Sequence, residues 1–174
     1  KDDGISLLQD LLDPLLKSGA RLGVMKGHES SLRMPLGDYE RLMSRLGGIE
    51  VVDATDILHN LRMVKSAAEI DKIAHICGIA SRTFARAGDI FHKGQSLAEA
   101  FRAFRIECLT QGADDVPYLA GGADQGGYCD IISPPSNRSL ESGDILMFDT
   151  GATFDGYFCD FDRNFAIEQA DDLS

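Results

Sequence analysis

Tryptophan is absent from this sequence, and only four histidines and five prolines occur in its 174 residues. His28, His59, His75 and His92 stand at no paired metal-ligand spacing, so they read as surface or structural residues. Positive charge is scarce too: 17 Lys and Arg face 28 Asp and Glu, a formal net charge of −11. Nucleic acid needs clustered Lys and Arg against its phosphates, so it is excluded as a partner, and an anionic membrane surface with it. No apolar run approaches the ~20 residues of a membrane span. Cys77, Cys108, Cys129 and Cys159 are far apart and form no CxxC pair. Neither a disulfide framework nor a zinc-knuckle spacing results, and reduced thiols in a cytoplasmic protein are expected. The acidic balance has two readings, a solvated surface or carboxylates gathered around a cation.

What is present, 44% hydrophobic and 26% charged residues, is enough for one ordinary domain or two small ones. Apolar residues at Ile5, Leu8, Leu12, Leu15 and Leu16 have helical spacing, interrupted by Pro14. A strand follows over Arg21 to Met25, a helix over Pro35 to Leu46 stopped by Gly47-Gly48, a strand over Ile49 to Asp53 and a short helix over Ala54 to Leu61. That alternation is the grammar of an α/β layer. Ser66-Ala67-Ala68-Glu69 and Ser96-Leu97-Ala98-Glu99 are capping boxes, each opening a helix. After Gly112 the chain turns β-rich, with strands expected over Val116 to Ala120, Tyr128 to Ile132, Ile145 to Asp149 and Tyr157 to Ile167. The glycine-rich run Gly121 to Gly127 lacks the GK[ST] of a phosphate loop and is expected to be a flexible loop. A domain boundary falls near Met63. The first residue is Lys1 and the last follow a strand-like run, so both ends are expected to be cut from a longer protein.

The informative stretch runs from Gly143 to Ile167, where two strand-like runs flank Asp155-Gly156, a strong hairpin turn. If Phe154-Asp155 form the turn, Asp149 lies opposite Asp160; if Asp155-Gly156 do, it lies opposite Asp162. Either way Asp149, Asp160 and Asp162 share one face, because strand side chains alternate. Like charges so placed repel unless something neutralises them, and oxygen-rich groups suit Mn, Fe or Mg better than a soft-ligand metal. The other reading is a hydrated, solvent-facing hairpin. Ile145, Met147 and Phe158 on the same face favour a partly enclosed site. By the same parity Cys159 faces the other way, into packing, and Arg163 is expected to pair with an acid across the sheet.

Gly143-Asp144-Ile145-Leu146, Asp149-Thr150-Gly151, Asp155-Gly156-Tyr157 and Asp160-Phe161-Asp162-Arg163-Asn164-Phe165 together resemble the creatinase, prolidase and aminopeptidase P group of pita-bread enzymes. Met63-Val64-Lys65-Ser66-Ala67-Ala68-Glu69-Ile70 resembles the start of that family's catalytic domain. The resemblance implies an α/β (α+β) fold: residues 1–62 as the latter part of a creatinase-type amino-terminal domain, and 63–174 as the first half of the pita-bread domain. It implies Asp149 and Asp160 as ligands of a site for two divalent metal ions (Mn, Co, Zn or Fe). The family's remaining ligands, a His and two Glu, lie beyond this segment, so the segment alone is expected to hold a cation weakly or not at all. Asp162 stands where the family usually has Thr, as a support for the ligands or as an extra one. The family's usual His before the hairpin is also missing, Ile131-Ile132-Ser133 standing in its region.

The function so implied for the whole protein is metal-dependent hydrolysis of a peptide or amide C–N bond, in Xaa-Pro aminopeptidase or dipeptidase form, with this segment alone inactive. The missing His keeps a creatinase-like enzyme acting on a small molecule in view, and some pita-bread relatives are non-catalytic binding modules. The expected partner is a peptide or small amide substrate, and a homodimer is left open.

Overall fold

The computed structural model describes residues 4–17, 19–130 and 134–169, and the backbone divides into two units, Lys1–Lys65 and Ser66–Ser174. In the first unit, α1 (Ile5–Leu12), β1 (Arg21–Val24), α2 (Leu36–Leu46), β2 (Glu50–Asp53) and α3 (Thr55–Met63) follow in order. The two strands pair in parallel from Arg21 opposite Glu50 to Val24 opposite Asp53. A parallel pair requires a crossover, which α2 supplies. Its apolar stripe buries Leu42 and Leu46 against Ile5 of α1. The first helix ends at Leu12, short of Leu16, because Pro14 has no amide to continue the ladder.

The second unit opens with α4 (Ala67–Ala85), then α5 (Ala87–Ile90) and α6 (Leu97–Thr110). Both capping boxes form. The Ser66 amide donates to Glu69 Oε2 at 2.7 Å while the Glu69 amide donates back to Ser66 Oγ. Ser96 and Glu99 repeat the exchange at 2.8 and 3.2 Å. Each satisfies orphan amide groups that would otherwise end the helix in water. The short α5, absent from the sequence-based expectation, carries too few residues to show a period.

The strands are β3 (Asp115–Gln125), β4 (Asp144–Phe154), β5 (Tyr157–Phe158) and β6 (Phe161–Ala166). The central strand, β4, pairs antiparallel with β3 on one side and with β5 and β6 on the other. Two expectations fail here. Gly121 to Gln125 is not a loop but the continuation of β3, paired from Gly121 opposite Phe148 to Gln125 opposite Asp144. A Cβ at Gly121 would stand 2.2 Å from the Met147 carbonyl oxygen, so the glycine serves close strand approach. Tyr128 to Asp130 is not strand, and Ile131 and Ile132 lie outside the described residues.

The core of this unit lies between the helices and one face of the sheet. Leu146, Phe148 and Ala152 of β4 are fully buried there with Ile76, Ile79, Phe104 and Cys108. Phe148 is its centre, with ring centroids 4.7 Å from Phe91, 4.6 Å from Phe101 and 5.2 Å from Phe104. Cys159 is buried in this cluster, on the side that parity assigned it. All four cysteines are free thiols, and burial raises Cys108 to about 11, which leaves it protonated and inert. Among the described residues no helix is long and apolar enough to cross a membrane.

The start of β4 is held by a buried ion pair. Asp144, with no exposed surface, accepts from Arg138 Nη1 and Nη2 at 2.6 and 2.9 Å, from Gln125 Nε2 at 2.9 Å and from the Glu141 amide at 2.9 Å. The Arg138 guanidinium, first, and the other two donors hold its carboxyl below the usual value despite burial. A lowered folded pKa gives stability that is fully present above the unfolded value, about 3.9, and lost as pH falls through the folded one. Replacing Asp144 by Asn is expected to cost about 1.5–3 kcal/mol at pH 7, since the charge-assisted bonds from Arg138 are lost and Asp124, at 3.5 Å, is its remaining ion-pair partner among the described residues. Urea denaturation at pH 7 and at pH 3 checks this: the gap between wild type and variant should narrow at the lower pH.

Candidate metal centre

Side chains alternate along a strand, so with Leu146, Phe148 and Ala152 in the core, Ile145, Met147, Asp149 and Gly151 lie on the opposite side of β4, where Met147 and Gly151 are buried as well. What else reaches that side depends on the turn. Asp155 and Gly156 have φ of 48° and 79°, and Phe154 pairs with Tyr157 across them. Positive φ at both central residues marks the two-residue turn whose twist matches the flanking strands. Of the two registers open from sequence, this selects the one in which Asp149 lies opposite Asp162.

Regular pairing lapses at Cys159 and Asp160, yet the Cys159 amide still donates to the Ala152 carbonyl at 3.0 Å. The register therefore carries through, and Asp160 falls level with Gly151. Asp149, Asp160 and Asp162 thus share one face, Asp149 half-buried and the other two exposed. Among the described residues Arg163 pairs with no acid. Its guanidinium donates to the Asp162 carbonyl and lies 5.4 Å from the Phe161 ring centroid, because its own side of the strand offers an aromatic and no carboxylate.

Phe158 shapes the floor of this face. Its ring lies over Gly151 so closely that a Cβ there would stand 2.0 Å from its Cζ. The glycine is thus the space into which the ring folds, beside the level of Asp160. The hairpin tip is tied down separately. Tyr157 donates its hydroxyl to Glu69 Oε1 at 3.0 Å, and Lys72 pairs with Asp155 at 2.5 Å. Glu69 therefore caps α4 with one oxygen and receives the hairpin with the other.

Burial, first, raises the Asp149 carboxyl above its usual value, the charges of Asp160 and Asp162 add to this, and a hydrogen bond from Tyr118 opposes it. The Tyr118 hydroxyl donates to Asp149 Oδ2 at 3.0 Å, and its own proton is held more tightly for that reason. Among the described residues, no group of three or more His, Cys, Asp and Glu side chains comes together to hold a metal ion. Asp149 and Asp160 nevertheless fit part of such a site: both are hard oxygen donors on one face, and the raised Asp149 carboxyl is what a bound cation would relieve.

Tyr118 was invisible to the sequence reading, although a signal was there. Pro117, inside a strand-like run, marks an edge or a bulge, and β3 does shift register between Asp115 and Tyr118. Asp144 belongs to the motif Gly143 to Leu146, but its partner Arg138 stands outside that motif, in the loop before β4.

Comparison with known proteins agrees with the motifs. The model of metallopeptidase family M24 matches residues 71–173. The probable dipeptidase PepE of Mycobacterium tuberculosis is 31% identical over 139 residues, which are 79% of this chain and 36% of that protein. The uncharacterized peptidase YqhT of Bacillus subtilis is 26% identical over 175 residues, 98% of this chain and 47% of its own length. The chain thus spans less than half the length of either relative. Among solved structures, the X-Pro aminopeptidase from Thermotoga maritima superposes with a TM-score of 0.80 at 22% identity, over 98% of this chain and 46% of its own. Dipeptidase PepE from Mycobacterium ulcerans gives a TM-score of 0.76 at 28% identity, over 94% and 43%. The fold is that of the pita-bread proteins, over about half of their chains.

The Gly151 notch can be tested by a double-mutant cycle. Gly151→Ala is expected to displace the half-exposed Phe158 ring at a cost on the order of 1 kcal/mol. The same change in a Phe158→Ala background should cost almost nothing, since no ring remains to be displaced. Equal losses in the two backgrounds, read from urea denaturation, would show that the glycine serves something else.

Proposed function

Because this chain belongs to metallopeptidase family M24, we propose that the whole protein is a metal-dependent hydrolase of peptide or amide C–N bonds, of Xaa-Pro aminopeptidase or dipeptidase type. The observation that carries the reading is the shared face of Asp149 and Asp160, inside the family-matched segment, with the Asp149 carboxyl raised by burial and by its acidic neighbours. The dipeptidases among the relatives support the peptide as substrate.

In this reading residues 1–62 correspond to the latter part of an amino-terminal domain and residues 63–174 to the first half of the catalytic domain. Asp149 and Asp160 would be ligands of a site for two divalent ions (Mn, Co, Zn or Fe). Such ions, when bound, supply an activated water and polarise the scissile carbonyl. Asp162, across the hairpin from Asp149, would support the two ligands or serve as an extra one. Phe158 and Met147 keep that side of the carboxylates apolar, which strengthens their hold on a cation. The free thiols support a reducing, cytoplasmic setting.

The test uses the full-length protein. Elemental analysis after native purification should find a bound divalent metal, and the loaded protein should cleave Xaa-Pro dipeptides. Asp149→Asn and Asp160→Asn are each expected to lower that activity by more than about 100-fold, beyond the loss caused by a residue that only supports a ligand. Turnover of small amides or amidines but of no Xaa-Pro dipeptide would instead favour a creatinase-like enzyme, and absence of metal a binding module. The 174-residue chain alone is expected to show no peptidase turnover, because two aspartates hold a cation only weakly.

A further inference from the structure

Beyond the Phe148 face and the hairpin turn, one feature of the sheet bears on Asp149 alone. Asp115 pairs with Thr153, and with no irregularity Tyr118 would then pair with Thr150, whose side chain is fully buried on the core side. The strand instead takes up one extra residue between Asp115 and Tyr118, at Val116-Pro117, and Tyr118 pairs with Gly151. Pro117 has no amide to lose from the ladder, so an irregularity there is cheap. The consequence is a reversal of side. Val116 remains buried in the core, at 1% exposure, while Tyr118 turns to the face that carries Asp149 and is 36% exposed. Its hydroxyl then meets Asp149 Oδ2 at 3.0 Å.

A bond this exposed contributes little to stability. What it does well is orientation. It engages Oδ2 of the carboxylate and restricts rotation of the group. A hydroxyl is also the kind of donor that a cation-holding carboxylate tolerates. Lys or Arg in its place would neutralise Asp149 and compete with the cation, whereas a neutral phenol orients the group and leaves its charge intact.

We propose that Tyr118 is a positioning residue for Asp149, placed by the bulge at Val116-Pro117 so that its hydroxyl fixes the carboxylate for cation binding. This rests on the reading of Asp149 as a metal ligand. Tyr118 acts through Asp149 and has no contact of its own with the reacting atoms.

The experiment compares full-length wild type, Tyr118→Phe and Asp149→Asn, each freed of metal and titrated with Co²⁺ by calorimetry and by visible absorption of the bound ion. Tyr118→Phe is expected to bind Co²⁺ about 10–100-fold more weakly, the range found for residues that orient a metal ligand. Its cobalt spectrum should shift, and its peptidase rate should recover as Co²⁺ is raised, while the melting temperature of the metal-free protein stays close to that of wild type. A merely structural hydrogen bond would move the melting temperature and leave the spectrum unchanged. Should Tyr118→Phe not fold, Tyr118→Leu removes the same donor and carries the same expectation. Wild-type affinity and spectrum in the donor-less variant, with binding lost in Asp149→Asn, would overturn the role of Tyr118 alone. Failure of wild type to bind Co²⁺, or unchanged binding by Asp149→Asn, would overturn the ligand reading and this proposal with it.

Discussion

The burial of Phe148 among Phe91, Phe101 and Phe104 is the contact from which the rest of the second unit takes its sense. Aromatic pairs of this kind contribute about 0.5–1.5 kcal/mol each beyond the area they bury. Their larger effect is on register. A slip of β4 by one residue would pull Phe148 out of the cluster and put Asp149 into it, replacing an aromatic core residue with a carboxylate. The apolar core thereby determines which side of the sheet carries acid.

A second restraint works at the hairpin's far end. The Asp155-Gly156 turn sets which residues face each other, and Glu69 and Lys72 of α4 fasten the tip through Tyr157 and Asp155. A helix cap and a β-turn, 88 positions apart in the case of Glu69 and Tyr157, become one assembly. This gives a physical reason for two of the sequence motifs to occur together: the glutamate of the capping box has an oxygen left over, and the tyrosine after the turn uses it.

Two acids of β4 stand in contrasting surroundings. Asp144, at the start of β4, is fully buried and fully paired, and its carboxyl is lowered by Arg138. Asp149, five positions on, is half-buried beside two further acids, and its carboxyl is raised. The first arrangement is complete within the described residues and serves the fold. In the second, among the described residues, a neutral donor, Tyr118, is what stands against the negative charge of its neighbours. That contrast is what gives a functional reading to one aspartate and a structural reading to the other.

Features governed by neighbours in the chain were legible in advance. Ser66 and Glu69, Ser96 and Glu99, Asp155 and Gly156 lie within four residues of one another, so their caps and turn follow from local chemistry. Alternation likewise gathered Asp149, Asp160 and Asp162 on one face in either register, and the motifs around them resembled the family whose model matches residues 71–173. The extension of β3 through Gly121 to Gln125 was not legible, because a glycine run looks like a loop until a partner strand closes against it. Nor was the bulge that turns Tyr118 toward Asp149, nor the partnership of Arg138 with Asp144. The sequence by itself determined the caps, the turn and the common face of the acids, since each depends on spacing within a short stretch of chain. Only the tertiary structure decided the register opposite Asp162, the burial of Asp149 and its tyrosine partner, because these depend on which distant segments come to lie beside β4.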